Sequence, residues 1–250
     1  MPRKARKHAE SGIYHVMLRG IDRQQIFEDP EDYLFFQEIL REFRMQCGYA
    51  LYAYCLMGNH AHILLKVGHE SLESTMKRVA GRYVYWFNVK YQRIGHLLQD
   101  RFKSEPVEDD GYFLTVLRYI HQNPVKAGIC RYPGDYAYSS YSEYLSESSR
   151  VDIGFGLGMI SREEYVRYHN EKNDDQCLEL SQSTRRAVTD EQARAVIYKI
   201  SHCHTLPEFQ KLSEEQKIRS IKIIHEKGVS IRQLCRLTGV SKGMVEKWLK

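Results

Sequence analysis

Two β-rich runs separated by a turn dipeptide place the strongest restriction on the fold of this chain. Residues 49–57, YALYAYCLM, and residues 60–67, HAHILLKV, flank Gly58-Asn59. Runs rich in β-branched and aromatic residues around such a dipeptide are typical of a β-hairpin. The chain must therefore contain an antiparallel sheet, and any helices nearby have to cover it.

The runs on either side of this hairpin continue the pattern through the first 145 residues. Residues 12–20 alternate like a strand, and residues 28–48 read as a helix that begins at Asp29-Pro30 and stops at Gly48. Further along lie a helical run, an edge strand that tolerates Pro106, and a second helical run: residues 70–93, 101–109 and 109–123. The order βαββαβ with one more helix predicts an α+β fold with a ferredoxin-like antiparallel sheet.

The overall composition is that of a globular protein. Hydrophobic residues make up 42% and charged residues 28% of the 250 residues. The basic N-terminus lacks the apolar run of a signal peptide, and no later run is long enough to span a membrane. We expect a cytoplasmic protein without membrane contact, and its six cysteines, which form no CxxC pair, to be reduced thiols.

Charge is distributed unevenly along the chain and helps to divide it. Residues 1–180 carry 23 Lys and Arg against 25 Asp and Glu, whereas residues 181–250 carry 14 against 7. Such a basic segment suits a polyanion such as nucleic acid, although an ordinary solvated surface explains the charge equally well. We predict a catalytic domain at 1–145, a Tyr-, Ser- and Gly-rich wrapping tail and linker at 146–185, and a helical domain at 186–250.

His60 and His62 in the second hairpin strand are the first candidates for a functional site. Side chains at i and i+2 of a strand lie on one face, so both imidazoles project together while Ala61, Ile63 and Leu65 point to the other face. Two histidines alone are a weak signal, and a pair that merely sits on a strand is the more common case. A metal site needs a third donor.

The helical run 109–123 offers that donor beside a reactive group. Tyr119 and Asn123 lie one turn apart on its flank, and Pro124 is expected to end the helix just after Asn123. On this helix alone, the simpler interpretation is a half-buried tyrosine and a helix-terminating asparagine.

Several motifs in order resemble the single-tyrosine HUH transposases, specifically the REP-associated tyrosine transposases. They are YHVMLRGIDRQQIFED, MGNHAHILL, GHLLQDRFKSEPVEDDGYFLTVLRYIHQNPVKAGI and YAYSSYSEYL, and they cover about the first 145 residues. The resemblance implies that His60 and His62 are metal ligands, that Asn123 is the third, and that Tyr119 is the nucleophile. Related insertion-sequence enzymes can carry Gln where this chain has Asn123.

The resemblance also implies a reaction and a substrate. Mg²⁺ or Mn²⁺ would polarise the scissile phosphate, and Tyr119 would form a 5′-phosphotyrosine link and release a 3′-OH. The substrate would be single-stranded DNA with hairpins or palindromic repeats. Arg101, Lys103 and Arg118 are candidate phosphate contacts, each with an ordinary surface or core role as the alternative; His121 points away from Tyr119, towards a structural or DNA-contact role.

The C-terminal run SIRQLCRLTGVSKGMVEKWL resembles a helix-turn-helix. Gly239 would make the turn, and Val245, Trp248 and Leu249 would face inward. The outward basic residues, which we predict to contact DNA, are Arg232, Arg236, Lys242 and Lys247. A three-helix packing module without DNA contact is the alternative.

Two functions from different classes fit these features. The first is a DNA strand-transferring enzyme, acting either as a monomer or as a homodimer. The second is a non-catalytic, sequence-specific DNA-binding regulator that uses the same fold without turnover. They differ in whether binding to DNA leads to a covalent adduct through Tyr119.

Overall fold

The structure is a computed structural model that describes residues 7–99, 101–147, 149–178, 190–203 and 205–249. The chain divides into two compact units, Met1–Glu179 and Leu180–Lys250. The first unit thus extends beyond the boundary that we predict at residue 145, because the described part of the tail packs onto it.

Four antiparallel strands form the sheet of the first unit. Their bounds are β1 Ile13–Arg19, β2 Ala50–Met57, β3 His60–Lys66 and β4 Lys103–Pro106, and their spatial order is β2-β3-β1-β4. This order is that of a ferredoxin-like sheet, so the predicted α+β class is confirmed. Strand β3 is central and pairs along both sides, with β1 and with β2.

The first helix begins and ends where the sequence predicts, and the second lies within the predicted run 70–93 but is shorter at both ends. Helix α1, Pro30–Cys47, starts with a capping box between Asp29 and Asp32 and ends at Gly48, whose φ of 69° is in the left-handed region that glycine tolerates. Helix α2, Leu72–Lys90, is capped by the Ser71 hydroxyl. The two helices pack against each other.

Helix α3, Asp110–Lys126, corrects one of our predictions. It is capped by Asp109, whose side chain accepts from the backbone nitrogen of Tyr112, but it continues past Pro124 instead of ending there. Proline removes one backbone donor, but the backbone hydrogen bonds from Ala127 to Asn123 and from Ile129 to Pro124, both at 2.9 Å, close the last turn around it. Asn123 consequently has helical backbone, and its Nδ2 donates to the carbonyl oxygen of Tyr119 at 3.0 Å.

The segment after α3 wraps over the first unit. It forms two short 3₁₀ turns, helix α4 Ile153–Leu157 and helix α5 Arg162–Asn170. The rings of Tyr144 and Tyr165 stack with centroids 4.8 Å apart, and both side chains are wholly buried. The wrapping tail is therefore part of the hydrophobic core of this unit rather than an exposed linker.

A buried polar network joins α3 to this tail. His121 Nδ1 lies 3.1 Å from His169 Nε2 and 3.0 Å from the Tyr165 hydroxyl, and His121 Nε2 lies 2.9 Å from Ser140 Oγ. All four side chains are buried. His121 thus has the structural role that was one of the two predicted for it, and it is not available to DNA.

The same network predicts acid sensitivity of the fold. Burial lowers the pKa of His169 to about 4, whereas an unfolded histidine has a pKa of about 6.5. Between these values the unfolded chain binds the proton more tightly, so the free energy of unfolding should fall as pH drops from about 6.5 to 4, by about 1.4 kcal/mol per pH unit. Urea unfolding at several pH values measures this slope. Other buried histidines add to the total slope, so His169→Gln should lower it by about 1.4 kcal/mol per pH unit without removing it; an unchanged slope in that variant would contradict the assignment.

The second unit is helical. Its described helices are α6 Asp190–Ser201, α7 Leu206–Gln210, α8 Glu214–Glu226, α9 Ile231–Thr238 and α10 Lys242–Trp248. Gly239, with φ of 72°, separates α9 from α10, and Val245 and Trp248 are buried as predicted. In the described part of the chain, no helix is both long and apolar enough to cross a membrane.

Candidate metal and nucleophile site

The register of the sheet sets one polar row across three strands. His60 pairs with Arg19 of β1, His62 pairs with Met17, and His15 pairs with Glu105 of β4. Residues directly opposite each other in an antiparallel pair share a face, and so do residues two apart in one strand. His15, Arg19, His60, His62 and Glu105 therefore belong to one face of the sheet.

The two predicted metal-ligating imidazoles lie side by side on this face. Their ring centroids are 5.1 Å apart with the planes nearly perpendicular. His60 Nδ1 lies 2.6 Å from Asn59 Oδ1, and His62 Nδ1 lies 2.8 Å from His15 Nε2. Because each Nδ1 is engaged, the Nε2 atom of each ring is the one suited to a metal ion.

Both histidines are held neutral by their surroundings. Burial lowers the pKa of His60 to about 4, although a side-chain hydrogen bond with Asn123 opposes the shift. Burial and the neighbouring His15 lower the pKa of His62 well below its ordinary value. Neutral imidazoles keep the lone pair that a metal ligand needs.

Helix α3 brings the nucleophile candidate to the same place. The Tyr119 ring centroid lies 5.7 Å from that of His62 and 5.8 Å from that of His15. Asn123, one turn later, hydrogen-bonds His60. The structure thus brings together all four residues predicted for the catalytic site: His60, His62, Tyr119 and Asn123.

The donor set fits a divalent cation only if the amide takes part. Among the residues that the structure describes, no group of three or more His, Cys, Asp or Glu side chains is arranged to hold a metal. Two imidazoles and an amide oxygen, open to phosphate and water oxygens, suit Mg²⁺ or Mn²⁺. The residues present therefore fit the predicted metal, with Asn123 as the third donor.

Two of the predicted phosphate contacts lie on the surface, and one does not. Arg101 and Lys103 are exposed, and Lys103 pairs with Met17 on the face that carries the histidines. Arg118 is buried, and its guanidinium lies 2.8 Å (Nε) and 2.7 Å (NH2) from Asp175 Oδ2 and over the Tyr168 ring. Asp175 therefore neutralises the charge of Arg118 in this structure, and Arg118 is less accessible to a phosphate than Arg101 and Lys103.

Three residues of this face were not predicted from the sequence: His15, Arg19 and Glu105. Arg19 lies beside His60, and its Nε is buried with no hydrogen-bond partner among the described residues. Burial first, and then Arg23, lower the pKa of Arg19. The alternation of the run YHVMLRG already puts His15 and Arg19 on one face, and this was the available signal.

The basic residues of the second unit are placed as predicted where the structure describes them. Arg236, Lys242 and Lys247 are exposed, and Lys242 forms an exposed ion pair with Glu246 at 3.5 Å. The side chain of Arg232 lies outside the described part of the structure.

A family model matches the part of the first unit that carries the site. The model described as "Transposase IS200 like" matches residues 8–123, a span that includes every residue of the site. These residues are therefore similar to the IS200-like transposase family. The resemblance to transposases stated above is confirmed at this level.

A solved structure has a similar fold. The chain is similar to a "REP associates tyrosine transposase bound to a REP hairpin", with 14% identity over 72% of this chain and 100% of the other, at a TM-score of 0.52. It also matches a putative transposase from Deinococcus radiodurans R1, with 20% identity over 48% and 97% of the two chains and a TM-score of 0.35. No curated protein matches this chain.

Proposed function

We propose that this protein is a metal-dependent single-stranded DNA endonuclease and strand transferase that acts at hairpin-marked ends. The observation that carries the proposal is the phenol of Tyr119 beside two neutral imidazoles and an amide on one face of an IS200-like unit. A regulator that only binds DNA has no need for a nucleophile at such a place.

Tyr119 would carry the covalent step. Its phenolic oxygen attacks the scissile phosphorus, forms a 5′-phosphotyrosine bond and displaces the 3′-oxygen, which leaves as a hydroxyl after taking up a proton. A second strand's 3′-hydroxyl reverses the step and releases the tyrosine. The bond energy is conserved in the intermediate, so rejoining needs no nucleotide cofactor.

The remaining residues of the site would hold the substrate. His60, His62 and Asn123 would hold Mg²⁺ or Mn²⁺, which when bound polarises the scissile phosphate and offsets its charge. Arg19, beside His60, and Lys103, on the same face, would bind phosphate oxygens on either side. Exposed Arg101 extends this basic path before β4.

The choice of DNA rests on family and fold. The solved relative binds a REP hairpin, and we propose that this protein likewise takes single-stranded DNA next to a hairpin or palindromic repeat. Because Tyr119 lies within 6 Å of His62 in the same chain, we further propose that each copy completes its own active site, whether or not two copies pair.

A covalent-capture assay tests the enzyme directly. The full-length protein with Mn²⁺ and a 5′-labelled or 3′-labelled oligonucleotide that carries a hairpin and a single-stranded flank should give a protein–DNA band that survives denaturation. Only the label on the 3′ side of the cut should stay with the protein. Binding to the same oligonucleotides without any covalent band, over a panel of flanks taken from beside the gene, would instead favour the regulator.

We propose that the second unit contacts duplex or hairpin DNA through its exposed basic residues. The triple variant Arg236→Ala, Lys242→Ala, Lys247→Ala should weaken binding to a hairpin and lower the steepness of its salt dependence by about 0.9 for each phosphate contact removed. Filter binding at several salt concentrations measures both. The covalent yield on a short single strand at saturating protein should be unchanged; an unchanged salt slope would leave α9 and α10 as a packing module only.

A further inference from the structure

A chain of three buried or half-buried side chains ends at one of the metal-ligand candidates. Glu105 Oε1 lies 2.8 Å from His15 Nδ1, and His15 Nε2 lies 2.8 Å from His62 Nδ1. His15 is wholly buried and His62 is 2% exposed, so water does not compete for these hydrogen bonds. The three residues come from β4, β1 and β3, which the register places in adjacent positions.

The carboxylate of Glu105 determines which atom donates in each of the two hydrogen bonds. A carboxylate only accepts hydrogen bonds, so His15 must donate from Nδ1 to Glu105. A neutral imidazole has one donor and one acceptor, and His15 Nε2 is then the acceptor of a hydrogen bond donated by His62 Nδ1. His62 is left with an unprotonated Nε2, the form that a metal ion requires. If His15 carried hydrogen on both nitrogens, His62 would hold its hydrogen on Nε2 and could not bind a metal.

Glu105 is suited to accept a hydrogen bond from His15 because both of its oxygens are hydrogen-bond acceptors here. Oε2 accepts from the backbone nitrogen of Leu178 at 2.9 Å, and the Tyr112 hydroxyl also hydrogen-bonds this carboxylate. A glutamine of the same shape has only one accepting oxygen. If that oxygen accepted from the backbone nitrogen of Leu178, the amide group would donate to His15 Nδ1. The donor and acceptor of the hydrogen bond between His15 and His62 would then exchange roles.

We propose that Glu105 and His15 are positioning residues that fix the tautomer and the orientation of His62 and so raise its affinity for a divalent ion. This inference rests on the metal-dependent function proposed above and extends it to residues outside the ligand set. Hydrogen-bond partners of metal-bound histidines raise the basicity of the ligand, and their loss weakens metal binding by about 10- to 100-fold.

Direct Mn²⁺ binding to the full-length protein, measured without DNA from the electron paramagnetic resonance signal of free Mn²⁺, tests the proposal. His15→Leu removes the acceptor for His62 and should weaken Mn²⁺ binding about 10- to 100-fold. His15→Gln can accept from His62 and donate to Glu105, and it should stay within about threefold of the wild type. Glu105→Gln, which changes no volume, should lose about tenfold or more.

Tyr112→Phe is the matched control, since it removes a hydrogen bond to the same carboxylate but no link to His62. It should bind Mn²⁺ within about threefold of the wild type, and thermal unfolding of each metal-free variant shows whether it is folded. If His15→Leu does not fold, the comparison of Glu105→Gln with Tyr112→Phe carries the test alone.

The outcomes separate the two proposals. Wild-type Mn²⁺ binding that His60→Ala removes, together with wild-type affinity in folded His15→Leu or in Glu105→Gln, would overturn the positioning role and leave the enzyme proposal standing. If the wild type shows no Mn²⁺ binding that depends on His60, both proposals are overturned. Nitrogen-15 shifts give a further check, because His62 of the wild type should show hydrogen on Nδ1 and that of Glu105→Gln on Nε2.

Discussion

Tyr119→Phe should abolish the covalent protein–DNA adduct, with a loss of at least about a thousandfold, because no other group can take over a covalent nucleophile. The substitution removes one oxygen atom and leaves the ring, which packs beside His15 and His62. Folding and DNA affinity should therefore stay close to those of the wild type. Denaturing gels with labelled DNA measure the adduct, and filter binding measures the affinity.

Tyr85→Phe is the matched control for this experiment. Tyr85 is a largely exposed tyrosine of α2 with no place in the site, and its variant should form the adduct as the wild type does. An adduct that persists in Tyr119→Phe would assign the nucleophile to a different residue, and peptide mapping of the attached DNA would identify it.

His62→Ala should remove both Mn²⁺ binding and adduct formation. A ligand lost outright should cost more affinity than the roughly 100-fold that loss of an outer hydrogen-bond partner reaches. His62 is 2% exposed, so the substitution also leaves a cavity and deprives His15 of its donor; some loss of stability is expected in addition. Metal titration and the capture assay, run below the unfolding temperature of the variant, measure the two effects.

His69→Ala provides the control, because His69 is an exposed histidine just after β3. It should leave Mn²⁺ affinity unchanged. Mixing His62→Ala with Tyr119→Phe extends the test to the assembly: if each chain completes its own site, the mixture stays inactive. Recovered activity would mean that Tyr119 of one copy works with the histidines of another.

Much of the first unit could be predicted from periodicity and end signals. The Gly58-Asn59 turn, the caps at Asp29 and Asp109 and the stop at Gly48 all lie where local chemistry puts them. The placement of His60 and His62 on the same face also follows from the alternation of side chains along one strand. Pro124 was misjudged because its cost depends on its place in the helix, and the sequence does not say how far the helix continues.

The residues that support the site could not be assigned from local pattern. Glu105 and His15 are 90 residues apart in sequence, and they meet only because β4 pairs with β1 in one register. The partner of Arg118 is equally remote, since Asp175 lies in the tail that wraps α3. Local patterns give faces and ends of elements, whereas contacts between elements depend on registers and loop paths that a single sequence leaves free.

The central position of β3 also restricts how this hairpin can change over time. Both neighbouring strands hold its backbone, and side chains alternate between the faces, so a slip of one residue would turn both histidines away from Tyr119. Selection should therefore remove insertions or deletions of a single residue that shift the register of β3. A change of two residues would keep the imidazoles on their face. Lineages of this protein should tolerate length variation in the tail more readily than at Gly58-Asn59.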